Sequence, residues 1–160
     1  KYLTFRLGEE EYGIEILKVQ EIIQMQRVTR VPNAPSYVRG VINLRGKVIP
    51  VLELRVTFGM PDQPDSEKTC IIVVQLQLGG EALTMGLIID EVREVLDIGA
   101  DSIEETPSFG TKVHTDFIMG IGKVDTAVKM LLDIDRIFDE EQKGSLSEIS
   151  SEPAEEGAGT

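Results

Sequence analysis

The sequence predicts a mainly β fold made of two similar lobes. Short runs rich in β-branched and aromatic residues alternate with turn residues along most of the chain, a pattern typical of strands joined by hairpins. In addition, Gly40–Phe58 can be laid on Gly120–Phe138 without a gap, and Gly13–Ile22 on Gly86–Val95 in the same order. A unit that occurs twice predicts two β-rich lobes of roughly 60–70 residues each, and short strands of this kind usually close into small barrels.

The first lobe, about residues 1–59, is predicted to contain two hairpins and a short terminal helix. Gly46 supplies the permissive residue of a tight turn at the tip of the second hairpin. Between the hairpins, apolar residues at positions 17, 19, 22 and 23 favour one or two helical turns. In chain order the predicted elements are the strands Tyr2–Leu7 and Tyr12–Ile16, the helical turns Leu17–Ile23, the hairpin Val38–Leu52 and the helix Glu53–Phe58.

A polar linker at about 60–68 leads to the second lobe, about 69–138, and strand exchange between the lobes is left open. The stretch 143–160 is acidic, with almost no apolar residues, and is predicted to be a disordered tail. The predicted elements of the second lobe are the strands Thr69–Leu78 and Glu81–Ile89, a connection over Val92–Glu105, the hairpin strands Phe117–Gly122 and Ala127–Leu132, and the helix Asp133–Glu141.

The composition excludes several classes of function. A net charge of −12 is unfavourable for binding the phosphate backbone of nucleic acids. The single cysteine, Cys70, and single histidine, His114, cannot form an internal disulfide or a metal site of several histidine and cysteine ligands, and we expect no cofactor. No apolar run reaches the roughly 18 residues of a membrane-spanning helix, so we expect no direct insertion into a membrane.

No arrangement of residues predicts an enzyme. Nucleophilic catalysis usually pairs a serine, cysteine or threonine with a histidine base, whereas His114 lies in a polar stretch typical of a surface loop. Gly120–Lys123 resembles the end of a phosphate-binding loop but lacks its first glycine and its serine or threonine. Asp133 and Asp135 fit the start of a helix better than a calcium site.

Three cations, Arg39, Arg45 and Lys47, cluster around the tip of the Val38–Leu52 hairpin in an otherwise acidic chain. One interpretation is that Arg45 is a solvated turn residue or pairs with Glu21. The other is that it contacts a partner protein, because the arginine fork is favoured at interfaces. The residues alone leave both interpretations open.

Two segments resemble a known family, the CheW-like bacterial chemotaxis coupling proteins. They are Glu10–Ile22 (EEYGIEILKVQEI) and Val38–Val51 (VRGVINLRGKVIPV), which contains the specific asparagine-leucine-arginine-glycine hairpin. The resemblance runs from about Tyr2 to Phe138 and implies a CheW-like domain over 1–142. It implies two intertwined five-stranded SH3-like β-barrels with short helices and a C-terminal helix.

The resemblance also implies a function and partners. Members of the family are non-enzymatic adaptors that couple transmembrane chemoreceptors to the histidine kinase CheA and so control its activity. We therefore expect a cytoplasmic protein that joins membrane receptor arrays through its partners: the cytoplasmic tip of the receptors and the regulatory domain of CheA. The alternative, from another class, is a small β-barrel that binds a small ligand or single-stranded nucleic acid, although only 5 % of the residues are aromatic.

The resemblance assigns residues to two surfaces. A groove that takes a helical partner needs an apolar floor and a polar rim, so Val19 and Ile42 are expected in the floor and Glu21 and Arg45 at the rim. Gly40 would let the partner approach the backbone closely. The expected receptor-binding residues are Val19, Glu21, Arg39, Gly40, Ile42 and Arg45, and the expected kinase-binding residues are Leu87, Val92 and Val95.

Overall fold

The computed structural model describes residues 1–61, 63–78, 80–105, 117–138 and 140–151. Within these residues most of the chain lies in β-strands. In chain order the elements are β1 (Tyr2–Leu7), β2 (Glu10–Glu15), a 3₁₀ turn (Ile16–Lys18), β3 (Val19–Gln24), β4 (Val38–Leu44), β5 (Lys47–Glu53), α1 (Leu54–Thr57), β6 (Cys70–Leu78), β7 (Glu81–Ile89), β8 (Glu91–Leu96), a second 3₁₀ turn (Ala100–Ser102), β9 (Ile103–Glu104), β10 (Ile118–Val124), β11 (Ala127–Leu132), α2 (Ile134–Ile137) and α3 (Glu140–Ser151).

The strands form two mixed sheets that each combine both halves of the chain. Sheet 1 has the order β8-β1-β2-β11-β10-β9, and sheet 2 has the order β3-β6-β7-β5-β4. The pairs β2–β11 and β5–β7 are parallel, and the other pairs are antiparallel. The predicted fold class, mainly β with two interwoven sets of strands, is confirmed. In the part of the chain that is described, no ladder joins the two edge strands of either sheet directly.

The internal repeat has a structural counterpart in the two hairpins that precede α1 and α2. In β4–β5 the pairing register shifts by one residue before Gly40, and in β10–β11 it shifts in the same place, before Gly120. The tip residues Arg45 and Asp125 both have positive φ, 52° and 56°. The hairpin with its tip at Arg45 and Gly46 is thus confirmed. Its twin has the same bulge and a loop of the same two-residue length, but only the first loop residue, Asp125, has positive φ there.

The parallel junctions of the two sheets are also equivalent. Val51 of β5 lies opposite Gly86 of β7, and Leu131 of β11 lies opposite Gly13 of β2. Since each junction pairs a strand from one half of the chain with a strand from the other, the stretches 1–59 and 69–138 do not form separate sheets. The division at 60–68 stays a prediction about the sequence repeat.

Two crossovers carry the chain between the sheets, and an ion pair fixes each of them. The 3₁₀ turn after β2 leads from sheet 1 to sheet 2, and its Lys18 donates from Nζ to Oδ2 of Asp135 in α2 at 2.8 Å. The turn after β7 leads from sheet 2 to sheet 1, and its Asp90 accepts from Nε of Arg55 in α1 at 2.9 Å. The first crossover is therefore bound to α2, which follows a hairpin of sheet 1. The second is bound to α1, which follows a hairpin of sheet 2.

The hydrophobic core has three parts. The largest combines residues of both sheets with the helices, and smaller clusters lie around Ile42 in sheet 2 and around Leu131 in sheet 1. A row of aromatic rings crosses the largest part, with centroids 5.0–5.9 Å apart, and consists of Phe5, Tyr12, Phe58 and Phe117. Both faces of each sheet consequently meet apolar side chains.

Two sequence-based assignments between the hairpins are wrong. The predicted helical turns at Leu17–Ile23 reduce to the end of a 3₁₀ turn followed by strand β3. Burial in β3 alternates strictly between half-buried and exposed residues, which is the period of a strand, and β3 pairs with β6. The predicted connection at Val92–Glu105 likewise contains the strand β8, which pairs with β1.

The predicted disordered tail is wrong over 143–151, because these residues belong to α3. Leu146 is fully buried in the largest core part, and Lys143 donates from Nζ to the backbone oxygen of Gln77 at 3.0 Å. The predicted helix Asp133–Glu141 is interrupted after Ile137, and Asp133 caps α2 by accepting from the backbone nitrogen of Asp135. His114 and 152–160 lie outside the described residues.

Candidate partner-binding surfaces

The tip of the β4–β5 hairpin presents Arg45 to solvent. Asn43 Oδ1 accepts from the backbone nitrogen of Gly46 at 2.7 Å, and Arg45 and Gly46 both have positive φ, 52° and 87°. Two consecutive residues of this kind form the turn whose twist suits a two-residue hairpin. The Arg45 side chain is 70 % exposed as a result.

Arg45 reaches across to Glu21 on β3. Its Nη1 donates to Oε1 of Glu21 at 3.2 Å, and its Nη2 bonds to Oε2. The bonds to Arg45 hold the pKa of the Glu21 carboxyl below its ordinary value, so the pair is fully formed at neutral pH and is lost only as the pH falls through that lowered value. Exposed pairs add little stability, and the exposed guanidinium can still meet a partner. The two interpretations of Arg45 are compatible.

Arg39 is held by its own chain. Its Nε donates to Oε2 of Glu53 at 2.8 Å, and its two terminal nitrogens donate to Asp65 at 3.1 and 3.0 Å. These carboxylates raise the pKa of Arg39 further above its ordinary value. Lys47 lies on the same hairpin, and its Nζ donates to Oγ1 of Thr84 at 3.4 Å. Carboxylates of Glu21, Glu53 and Asp65 thus balance both arginines of the cluster that the sequence shows as basic.

Two residues expected in a receptor groove face the interior instead. Ile42 is 4 % exposed and packs with Ile49 in the smaller core of sheet 2, so its side chain cannot form the floor of a groove. Gly40 is buried, and a Cβ there would lie 2.1 Å from the backbone oxygen of Thr29. The close backbone approach that Gly40 permits is made by this chain rather than by a partner. Val19 is half-buried on edge strand β3, against the largest core part.

The expected kinase-binding residues differ in exposure. Leu87 is fully buried, so its side chain does not face solvent, and a role for it in kinase binding stays a prediction. Val92 is half-buried and packs against the largest core part. Val95 is 49 % exposed on β8, an edge strand of sheet 1. Of the three, Val95 offers the most contact surface.

An exposed residue that sequence reasoning overlooked is Ile22. It is 45 % exposed on β3, an edge strand of sheet 2, and the repeat places it at the position of Val95. The alignment of Gly13–Ile22 on Gly86–Val95 already contained this signal. Further exposed large apolar side chains are Leu17, Met119 and Val128.

Among the described residues we also examined features that would indicate a ligand cleft, a metal site or a membrane-spanning helix. A polar cleft of about 330 Å³ lies beside Arg39, Glu53 and Asp65, whose charges are already paired. Within the described ranges, no group of three or more histidine, cysteine or acidic residues has a geometry that could hold a metal ion. No helix of the described part is long and apolar enough to cross a membrane.

Comparisons with known proteins agree on one family. The family model of the CheW-like domain matches residues 1–142. "Chemotaxis protein CheW" of Klebsiella aerogenes is 35 % identical over 150 residues, which cover 94 % of this chain and 88 % of that protein. The protein of the same name from Bacillus subtilis is 32 % identical over 146 residues, covering 91 % and 90 %. The crystal structure of the scaffolding protein TtCheW from Thermoanaerobacter tengcongensis superposes with a TM-score of 0.76 at 37 % identity, covering 87 % and 92 %.

Proposed function

The chain belongs to the family of CheW-like domains, and we propose that it is a non-enzymatic adaptor that couples chemoreceptors to the chemotaxis histidine kinase CheA and so controls the activity of the kinase. The observation that carries the proposal is the similarity, over nearly the whole chain, to proteins named for chemotaxis and to a scaffolding protein of the same fold. The proposal includes a cytoplasmic location at receptor arrays, reached through the two partners.

The receptor surface of this proposal centres on Glu21, Arg45 and Val19. The Glu21–Arg45 pair is exposed and bridges β3 and the β4–β5 hairpin, and Val19 lies beside it on β3. Charges at a rim mainly set the association rate and the choice of partner. Arg39 supports this surface indirectly, because its bonds to Glu53 and Asp65 anchor the segment after α1 to the hairpin.

Arg45→Glu is expected to weaken binding of a receptor cytoplasmic fragment at least tenfold and to leave the fold intact. The variant places a like charge opposite Glu21 and reverses the charge offered to the partner, while the side chain stays outside the core. Binding is measured by titration of the receptor fragment, and folding by circular dichroism and thermal unfolding. Lys47→Glu, the same charge change at another exposed position of the hairpin, is the matched control and should bind nearly as wild type.

The double variant Glu21→Arg/Arg45→Glu distinguishes the ion pair between residues 21 and 45 within the chain from a contact between Arg45 and the receptor. It restores an ion pair with reversed polarity, so recovery of receptor binding would mean that only the internal pair matters. Continued weakness would support a contact between Arg45 and the receptor. Unchanged receptor binding by Arg45→Glu would contradict the proposed receptor surface.

The kinase surface of the proposal lies on β8 at Val95. Val95→Lys is expected to impair binding of the CheA regulatory domain more than receptor binding, because it puts a charge into an exposed apolar contact. A lysine at Val92 would test this less cleanly, since Val92 also packs against the core. Ile22→Lys, at the equivalent position of β3 with 45 % exposure, is the matched control. Each variant is titrated with the CheA regulatory domain and with the receptor fragment. A greater loss of receptor binding than of kinase binding in Val95→Lys would mean that the two surfaces are exchanged.

A further inference from the structure

Gly40 lies where the two edges of sheet 2 come together. After β3 the chain continues to Thr29, which exchanges two backbone hydrogen bonds with Val41 of β4, N to O at 2.9 Å and 2.8 Å. Strands β3 and β4 are the outer strands of sheet 2, so this bridge links its opposite edges through the chain itself. We call the line along which these edges meet the seam.

No side chain fits at position 40. A Cβ there would lie 2.1 Å from the backbone oxygen of Thr29 and 2.8 Å from its carbonyl carbon. Those atoms are backbone and take part in the bridge, so they cannot move aside without breaking it. The φ of Gly40 is also positive, 154°, a conformation that residues with side chains rarely adopt.

A second contact crosses the same seam. Glu21 lies on β3 and Arg45 at the tip of the β4–β5 hairpin, and their side chains are bonded to each other. The seam is therefore closed at two levels, by backbone hydrogen bonds at Thr29–Val41 and by an exposed ion pair at Glu21–Arg45. The exposed pair alone is a weak constraint, so the backbone bridge is the firmer of the two.

Core packing supports the bridge from inside. Val28, which precedes Thr29, packs with Ile23 and Met25 against the smaller core of sheet 2, the cluster that contains Ile42. These side chains hold the segment between β3 and Thr29 against β4. The buried positions of Gly40 and Ile42 thus belong to one arrangement: Ile42 supports the closing segment, and Gly40 leaves room for its backbone.

We propose that Gly40 is a positioning residue, which allows Thr29 to close on β4 and thereby sets Glu21 and Arg45 at the geometry that the receptor recognises. This inference rests on the receptor-binding function proposed above. It assigns to Gly40 an effect on binding without a contact, because Gly40 is buried and its free side is filled by Thr29.

The repeat provides a matched comparison. Gly120 is the equivalent of Gly40 in sheet 1, where β9 pairs with β10. A Cβ at Gly120 would meet Cγ2 of Ile103 at 2.6 Å and the backbone oxygen of Glu104 at 3.2 Å. Alanine at Gly120 therefore disturbs the closure of sheet 1 but leaves the seam of sheet 2 intact.

The test compares Gly40→Ala with Thr29→Pro, which removes the amide that donates to Val41 without touching Gly40. Both variants should accelerate amide exchange at Val41 and return the carboxyl pKa of Glu21, followed by NMR, towards its ordinary value. Both should also lose at least tenfold in affinity for the receptor fragment. Thr29→Ala, which keeps the amide, and Gly120→Ala should leave the Glu21 pKa and the affinity close to wild type.

Three outcomes would overturn the inference. One is an unchanged Glu21 pKa in folded Gly40→Ala. Another is full receptor affinity in Thr29→Pro while Gly40→Ala loses it, since that would indicate direct contact at Gly40. The third is an equal loss of affinity in Gly120→Ala. If Gly40→Ala does not fold, Thr29→Pro decides alone. The exchange and pKa measurements need no partner, so failure of wild type to bind the receptor would refute the proposed function separately from the seam.

Discussion

Arg55→Ala is expected to lower the free energy of unfolding by about 3 kcal/mol, the order found when one partner of a buried ion pair is removed. The Arg55 side chain is only 8 % exposed and donates to Asp90, to Gln63 Oε1 at 3.0 Å and to the backbone oxygen of Pro61 at 3.2 Å. Its removal leaves the half-enclosed Asp90 carboxylate with fewer donors. It also frees the segment after α1 from the crossover between β7 and β8.

Urea unfolding of the variant measures this loss. The matched control is Arg136→Ala in α2, whose side chain is 68 % exposed and has its Nε 3.7 Å from Oδ2 of Asp133. That change should alter stability by no more than about 0.5 kcal/mol. Equal effects of the two substitutions would show that the crossover does not depend on Arg55.

Leu146→Ala is expected to cost about 2–5 kcal/mol of unfolding free energy, the range for a buried leucine truncated in a core. Leu146 is fully buried in the largest core part although it belongs to the C-terminal helix α3. The substitution leaves a cavity between α3 and the strands it covers. We therefore expect the helical signal of α3 to disappear in the same unfolding transition as the rest of the fold.

The matched control is Leu17→Ala, because Leu17 is 93 % exposed and the chemical change is identical. It should alter stability by no more than about 0.5 kcal/mol. Chemical denaturation of both variants, with helical content followed by circular dichroism, compares them directly. Equal, small effects would mean that α3 is not docked in solution and that order ends near residue 142.

The hairpins and the repeat could be predicted because their signals are local. A permissive residue such as Gly46 between apolar runs specifies a turn, and the gap-free match of Gly40–Phe58 with Gly120–Phe138 indicates that the hairpin and its bulge recur. The sequence of β3 indicates helical turns because the apolar residues at 19, 22 and 23 match the helical period. The more buried face of the strand, Val19, Glu21 and Ile23, contains a charged residue and so hides the two-residue period. The pairing of β3 with β6 decides between the two periods.

The exposure of individual site residues could not be predicted, because both faces of each sheet are covered. In the β4–β5 hairpin, Ile42 packs in the smaller core of sheet 2, whereas Leu52 packs in the largest part. Alternation along a strand separates its two faces, yet it does not tell which residue reaches solvent when both faces are buried. Alternation therefore gave no reason to doubt the surface positions that the resemblance implies for Ile42 and Leu87.

The C-terminal helix was missed for a different reason. Its sequence is polar, and only Leu146 and Ile149, three residues apart, carry large apolar side chains into the core. Average composition over the segment therefore resembles a disordered tail. Similarly, counting charges shows a basic cluster at Arg39 and Arg45 but not the carboxylates that the fold brings to it.

The two crossovers have ion pairs of opposite polarity. A chain with two related halves could in principle assemble with α1 and α2 in each other's places, since the hairpins before them share a bulge. Such an exchange would set Arg55 against Lys18, and Asp135 against Asp90, so that like charges meet in partly buried places. Discrimination between competing arrangements often depends on such repulsion in the wrong one. The polarity of the crossovers thus disfavours the arrangement in which α1 and α2 change places.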